Sequence, residues 1–199
     1  MNPTGVLARG LNGKIVGGFT VDSLVLPASM EVVWGLEDGV YPVLREVKSG
    51  QVVAIVSLGL LPDAKGFRIE TAFSNWVNSK YCRPDESGNP VYVNRSAHEV
   101  IEPDRSRWDI GRMRWLLSKQ GVPVEFGFSK NAGGFCCNAF AYKLCVSLQS
   151  IPNPPPFLFV HVPCTPECVS GIPDWDKSKL LIPQDQLERG FRAIVECLR

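Results

Sequence analysis

Two adjacent cysteines, Cys136 and Cys137, stand just after a pair of glycines in the segment FGFSKNAGGFCCNAFAYKLC. The segment is typical of a strand, a tight turn and a helix, which puts both cysteines where the first N–H groups of a helix lack partners. A positive helix end and a nearby imidazolium both lower the pKa of a thiol below its ordinary value of about 8.5. The resulting thiolate would be a nucleophile at neutral pH, and the same N–H groups could hold an oxyanion.

Spacing alone does not choose between the two cysteines. Their side chains lie about 100° apart on a helix, so either one can face a site. A purely structural interpretation also stands, because free cysteine is among the most buried residue types and both side chains could simply pack inside the protein.

The chain has two histidines that could act as a base, His98 and His161. His161 ends an apolar run and is expected to project from the carboxyl end of a sheet strand, where α/β folds build their sites. His98 lies in a polar stretch typical of a solvated surface. His161 could instead be a core histidine that is hydrogen-bonded to backbone.

A carboxylate that orients the imidazole could be Glu70, which stands inside an apolar strand segment. A strand glutamate with apolar neighbours needs a partner if it is buried. The alternative is an ordinary solvent-facing residue of an edge strand, and the residue pattern leaves both open.

The elements that must position these residues alternate along the chain. Apolar runs and turn residues predict strands at Val52–Val56, Phe67–Asn75, Val124–Phe128 and Phe157–Val162. Helices are predicted around Leu36–Val47, after an Asp109 N-cap, at Phe135–Leu148, and from near Asp185 with Glu188 as a capping-box partner. This order predicts an α/β fold, a single domain with a largely parallel twisted sheet and helices on both faces.

Composition narrows the classes of partner. The chain has 199 residues, 45% of them apolar, and a net charge of +1 without a basic stripe, so neither nucleic acid nor a membrane surface is the expected partner. It has no long uninterrupted apolar run and no signal-peptide pattern at its start. Seven cysteines fit thiols in a reducing compartment, and we expect a cytoplasmic protein.

The residues resemble a known family, pyroglutamyl peptidase I. Its motif S-x-x-A-G-x-ϕ-x-C-N is matched by SKNAGGFCCN, and the register of the match selects Cys137 as the nucleophile. Its motif F-x-H-V-P-x-x-P is matched by the segment FLFVHVPCTPE. Its acidic motif is similar to ETAFSN followed by RPDESGNP, and Asn2-Pro3-Thr4 is similar to a motif near the family's first helix.

The resemblance implies a cysteine exopeptidase that removes N-terminal pyroglutamate from peptides through a thioester, with Glu70, Cys137 and His161 as its triad. Neither a metal nor an organic cofactor is implied, and a homo-oligomer is possible. Expected substrate-binding residues are Phe135, Phe73, Asn75, Lys80 and Arg83.

Three departures from the family pattern lead to alternatives. The family's first strand and its loop T-G-F-x-P-F-x-G are not found ahead of Asn2. We therefore expect one domain over residues 1–199 that lacks both, with an open site. The alternative function is a weakly active or inactive homologue. Lys80 stands where the family has arginine, and Cys136 where it has an aliphatic residue. A remote alternative is a metal-binding module at His161, Cys164 and Cys168.

Overall fold

The computed structural model describes residues 2–29, 33, 40–77, 93, 100–129 and 135–199. The helices in this part are α1 (Pro3–Leu11), α2 (Val40–Lys48), α3 (Ile110–Lys119), α4 (Cys136–Leu148), α5 (Pro166–Val169) and α6 (Gln184–Val195). The strands are β1 (Ile15–Val16), β2 (Phe19–Thr20), β3 (Ile55–Leu60), β4 (Phe67–Glu70), β5 (Phe73–Ser74), β6 (Val100–Ile101), β7 (Val124–Ser129) and β8 (Phe157–Val162). Over the described residues, none of these helices has both the length and the apolarity that a membrane crossing requires.

Four strands form the central sheet, in the order β3-β8-β4-β7. The β3/β8 and β4/β7 ladders are parallel, whereas β4 and β8 run antiparallel. The fold is therefore α/β with a mixed, mostly parallel sheet in a single domain, which confirms the predicted fold class. The two inner strands, β8 and β4, carry His161 and Glu70.

Alternate side chains of β8 enter two different core layers, because neighbouring residues of a strand point to opposite faces of the sheet. Phe157 and Phe159 pack with α2 and α4, and His161 shares their face by this alternation. Leu158 and Val160 pack with α3 and α6 on the other face. The helices thus cover both sides, and the candidate base lies on the side of α4.

Helix α1 begins at Pro3 after Asn2, whose Oδ1 accepts a hydrogen bond from the Thr4 backbone N–H at 3.0 Å. Its apolar face buries Leu7 and Leu11 against α6. Helix α1 therefore lies beside β3, at the edge of the central sheet.

Several predicted boundaries are confirmed. Asp109 caps α3 through its Oδ1, which accepts a hydrogen bond from the Arg112 N–H at 2.9 Å. Strand β8 spans the predicted residues Phe157–Val162, and α4 begins one residue after the predicted start. Of the helix predicted from Leu36, the part from Val40 onward is described.

The strand predicted at Val52–Val56 is wrong in position, since β3 runs from Ile55 to Leu60. Pairing with β8 sets this register and places Ser57 opposite Phe159 and Gly59 opposite His161. These two small residues interrupt the apolar pattern, so the pattern does not predict the second half of the strand.

The single strand predicted at Phe67–Asn75 is also wrong, because the chain leaves the main sheet after Glu70. It forms the short β5, which pairs antiparallel with β6. The predicted capping box of the last helix is not formed: α6 begins at Gln184 without a side-chain cap. Asp185 instead pairs with Arg189, one turn along α6.

Candidate active site

The imidazole of His161 and the carboxylate of Glu70 form a buried pair. Nδ1 lies 2.7 Å from Oε1, and the two residues are 3% and 0% exposed. Register explains the contact: His161 pairs across the sheet with Arg68, and Glu70 with Phe159, so the two side chains are diagonal neighbours on one face. A carboxylate that accepts a hydrogen bond from Nδ1–H leaves Nε2 available as a base.

Arg68 completes the electrostatics of this pair. Its Nε lies 3.4 Å from Oε1 of Glu70, and its side chain is partly exposed. The second carboxylate oxygen, Oε2, is buried without a hydrogen-bond partner among the described residues. A buried carboxylate is costly unless it is paired, so the imidazole and the guanidinium together stabilise the charge of Glu70.

Gly59 makes room for the imidazole ring. A Cβ at this position would lie 2.7 Å from Cδ2 and 2.9 Å from Nε2 of His161, closer than side chains approach one another. The edge of the ring formed by Cδ2 and Nε2 therefore lies close to the backbone of β3 at Gly59. Glycine inside a strand often marks such a close approach.

The first turn of α4 supplies backbone N–H donors that lack an acceptor within the helix. Phe135 precedes the helix in an extended conformation, and its side chain gives no capping hydrogen bond. The first intrahelical bond runs from Ala139 N to Phe135 O at 3.1 Å, so the N–H groups of Cys136, Cys137 and Asn138 have no acceptor within the helix. A positive helix end whose first donors point out of the helix favours an anion here.

The two cysteines titrate as a pair. A hydrogen bond from the Cys137 thiol lowers the pKa of Cys136 below its ordinary value, and the backbone N–H groups of both residues add to the effect while burial opposes it. The same hydrogen bond raises the pKa of Cys137, and burial and the negative charges of Cys136 and Glu70 raise it further. The lowered pKa that the helix end predicts thus falls on Cys136, while the neighbours of Cys137 raise its pKa.

A cleft of about 780 Å³ opens at this helix end, between α4, α1 and the edge strand β3. Cys136 and Cys137 line it together with Phe135, Phe159, Ser57 and Gly59. Phe135 and Phe159 thus contribute aromatic walls to the cleft. In the described residues, Cys137 Sγ and the His161 ring do not form a hydrogen bond, although the charge of Glu70 acts on Cys137. Catalytic hydrogen bonds are often long before substrate binds.

The substrate-binding residues predicted from the sequence are dispersed. Phe135 lines the cleft. Phe73 is fully buried, with its ring centroid 5.9 Å from those of both Phe157 and Phe159, and Asn75 is 4% exposed; neither lines the cleft. Lys80, Arg83 and His98 lie outside the described residues. The substrate-binding roles remain predictions.

The metal-binding alternative finds no support. Across the ranges that the structure describes, no three His, Cys, Asp or Glu side chains converge as metal ligands. His161 Nδ1 is engaged by Glu70, and burial raises the pKa of Cys164 to about 11, which disfavours the thiolate that a metal would need.

Sequence reasoning missed two contributors to this site. Gly59 could have been found as a lone glycine inside an apolar run, which signals a close approach. Arg68, two residues before Glu70, could have been found because residues i and i+2 of a strand share a face.

Comparison with known proteins finds relatives of this chain in sequence and in structure. The sequence profile of the pyroglutamyl peptidase family matches residues 1–198. A pyrrolidone-carboxylate peptidase of Bacillus cereus is 24% identical over 200 residues, covering 98% of this chain and 85% of that protein. One of Staphylococcus saprophyticus is 27% identical, covering 91% of this chain and 80% of that protein.

Solved structures show the same fold. The pyrrolidone carboxyl peptidase of Thermococcus litoralis superposes with a TM-score of 0.79 at 20% identity, covering 99% of this chain and 86% of that one. The enzyme of Fervidobacterium islandicum superposes with a TM-score of 0.77 at 22% identity, covering 98% and 89%. Because the family profile spans nearly the whole sequence, this chain belongs to the pyroglutamyl peptidase family.

Proposed function

We propose that this chain is a cysteine exopeptidase that removes N-terminal pyroglutamate from peptides, with Cys137 as nucleophile, His161 as base and Glu70 as the group that orients the base. One observation carries the proposal: the buried Glu70–His161 pair lies on the sheet face covered by α4, whose first turn presents Cys137 to a cleft. The family of the chain supports the same reaction class.

Acylation begins when His161 Nε2 takes the proton of Cys137 and the sulfur attacks the pyroglutamyl carbonyl carbon. The carbonyl oxygen becomes an oxyanion, and the first-turn N–H groups of α4 are placed to stabilise it. As the tetrahedral intermediate collapses, the C–N bond breaks and the imidazolium returns its proton to the departing amine. A thioester to Cys137 remains.

Deacylation repeats the chemistry with water. His161 removes a proton from water, the hydroxide attacks the thioester carbonyl, and the C–S bond breaks to release pyroglutamate and restore the thiol. Glu70 stabilises the imidazolium in both halves without taking its proton. Neither half of this reaction requires a metal or an organic cofactor.

The expected pocket for the acyl group lies beside Phe135. A lactam ring is small, flat and uncharged, so it needs apolar walls and a few polar groups. The aromatic residues Phe135 and Phe159 provide such walls within the cleft. We further propose a cytoplasmic location, since the six cysteines that the structure describes carry free thiols and a nucleophilic thiol needs a reducing compartment.

A weakly active homologue is the second candidate. Strand β3 is the edge of the described sheet, and the cleft runs along that open edge up to Cys137. A site with an open side excludes water poorly and holds a small acyl group loosely. In this case the thiol would still be reactive while turnover would be slow.

Intact-mass spectrometry after rapid acid quenching tests the proposal and separates the two candidates. With a pyroglutamyl amide substrate we expect a mass increase of one pyroglutamyl group, located on Cys137 by peptide fragmentation. A matched prolyl amide, which lacks the lactam carbonyl, should give no adduct. Fast turnover with little adduct supports the efficient enzyme, and a persistent adduct supports the weak one. An adduct on Cys136, or equal labelling by the prolyl amide, would contradict the proposed nucleophile or its specificity.

A further inference from the structure

The side chain of Asn138 is completely buried and makes three hydrogen bonds to backbone. Its Oδ1 accepts from the Ser74 N–H at 2.8 Å, and its Nδ2 donates to the Ser74 carbonyl at 2.8 Å and to the Trp76 carbonyl at 3.0 Å. The amide thus pairs with residue 74 in the way that a neighbouring strand would.

The orientation of this amide follows from its partners. An N–H donor faces Oδ1 and two carbonyl acceptors face Nδ2, so exchanging the two amide atoms would set acceptors against an acceptor. Both N–H groups of the amide are used. Asn138 is therefore a two-sided clamp with one arrangement that satisfies every buried group.

The clamp joins the two halves of the candidate site. Asn138 directly follows Cys137 in the first turn of α4, whereas Ser74 lies four residues after Glu70, where the chain leaves the main sheet. Apart from packing, α4 has no side-chain cap that would fix its start. The three bonds are therefore a direct polar link between the helix of the nucleophile and the segment of the acid.

We propose that Asn138 is a positioning residue that sets Cys137 against the Glu70–His161 pair. This inference rests on the function proposed above. Loss of the clamp lets the first turn of α4 shift, and a displacement of about 1 Å at a reacting atom costs about a hundredfold in rate. The amide bonds to Ser74 and Trp76, and Asn138 is not among the residues that line the cleft, so substrate affinity should change far less than the chemical step.

Two variants test the clamp. Asn138→Asp keeps the size but turns an oxygen toward the two carbonyls, and Asn138→Ala removes all three bonds. The control is Leu148→Ala, which removes a buried side chain at the other end of the same helix, about 15 Å away along its axis. The control destabilises the same element without touching the site.

We expect kcat for a pyroglutamyl fluorogenic amide to fall about thirtyfold or more in both Asn138 variants, with KM within about threefold. Leu148→Ala should keep kcat per folded molecule within about twofold of the unmodified chain. The inference is overturned if folded Asn138 variants match Leu148→Ala, or if KM alone rises.

Two further measurements do not depend on the proposed function, and the second of them needs no variant. The pH midpoint for iodoacetamide alkylation of Cys137 should shift in Asn138→Ala and stay unchanged in Leu148→Ala, because a displaced first turn changes the distances from the Cys137 thiol to Cys136 and Glu70, which set its pKa. If the unmodified chain cleaves no pyroglutamyl substrate, the proposed function fails while this midpoint still decides the role of Asn138. In the unmodified chain, hydrogen exchange should show the Ser74 amide as protected as the amides of α4, and rapid exchange would refute the clamp.

Discussion

At the residue scale, the hydrogen bond between the thiols of Cys136 and Cys137 affects the pKa of both, and with it the fraction of Cys137 that is thiolate. The Cys137 thiol donates to Cys136, which lowers the pKa of Cys136 and raises that of Cys137. Cys136 therefore competes for the negative charge that the nucleophile needs. We therefore expect Cys136 to reduce the fraction of Cys137 that is thiolate rather than to act as a second nucleophile.

Removing Cys136 should make the enzyme more active at low pH. The first cause of the raised pKa of Cys137 is its hydrogen bond to Cys136, so Cys136→Ala should lower that pKa and increase the fraction of Cys137 thiolate at any given pH. The acidic limb of the profile of kcat/KM against pH should then move to lower pH. A limb that moves to higher pH would contradict this effect of Cys136, and complete loss of activity in Cys136→Ala would instead point to Cys136 as the nucleophile.

Gly59→Ala should damage the base without unfolding the protein. The new Cβ would meet Cδ2 of His161 at 2.7 Å, so the ring must tilt away from Glu70 or from the cleft. We expect kcat/KM to fall about tenfold or more. The control is Gly10→Ala in α1, where nothing lies within 4 Å of the added carbon. Equal activity of the two variants would mean that the ring has space that the structure does not show.

The sequence predicts the types of these residues better than their contacts. A strand glutamate between apolar neighbours requires a buried partner, and Glu70 has one in His161. The partners stand 91 positions apart and meet through an antiparallel ladder, a long-range pairing that no local pattern contains. The sharing of a proton between Cys136 and Cys137 likewise depends on where two sulfur atoms point.

At the element scale, α4 and α6 cover opposite faces of the sheet. Helix α4 carries the candidate nucleophile and packs on Phe157 and Phe159, whereas α6 buries Leu187 and Ile194 on the opposite face. The apolar pattern of α6 predicts this burial, because its stripe follows a helical period. The start of α6 near Asp185 is confirmed to within one residue, whereas its predicted cap is wrong, since Pro183 rather than a polar side chain precedes the helix.

Gly190→Ala should therefore destabilise the fold, although alanine favours a helix over glycine by about 1 kcal/mol. A Cβ at Gly190 would lie 2.6 Å from the Phe67 ring, so α6 would have to move away from β4, at a cost of about 1–3 kcal/mol. Urea unfolding should show a lower midpoint. The control is Gly111→Ala in α3, whose added carbon meets only an ordinary contact at 3.6 Å and should gain up to about 1 kcal/mol. A gain in stability at Gly190 equal to that at Gly111 would contradict the close packing of α6.

At the scale of the whole molecule, the sheet places an acid and a base on its two inner strands and leaves β3 at an edge. Alternation of strand and helix along the sequence predicts the α/β class and helices on both faces. It does not predict that β4 and β8 run antiparallel, because strand direction within a sheet depends on how the whole chain is connected. The position of the cleft along β3 also depends on how the whole chain is arranged, because α1 and α4 flank that edge.

The most direct measurement is the release of 7-amino-4-methylcoumarin from its pyroglutamyl amide by the unmodified chain and by Cys137→Ala, with the prolyl amide as the matched substrate. We expect the unmodified chain to release fluorophore from the pyroglutamyl amide alone, at a rate above that of Cys137→Ala. Cys137→Ala should remain at the rate of the buffer while keeping the unfolding midpoint of the unmodified chain. Release that persists in Cys137→Ala, or a folded chain that releases nothing from the pyroglutamyl amide, would contradict a Cys137-dependent pyroglutamyl peptidase.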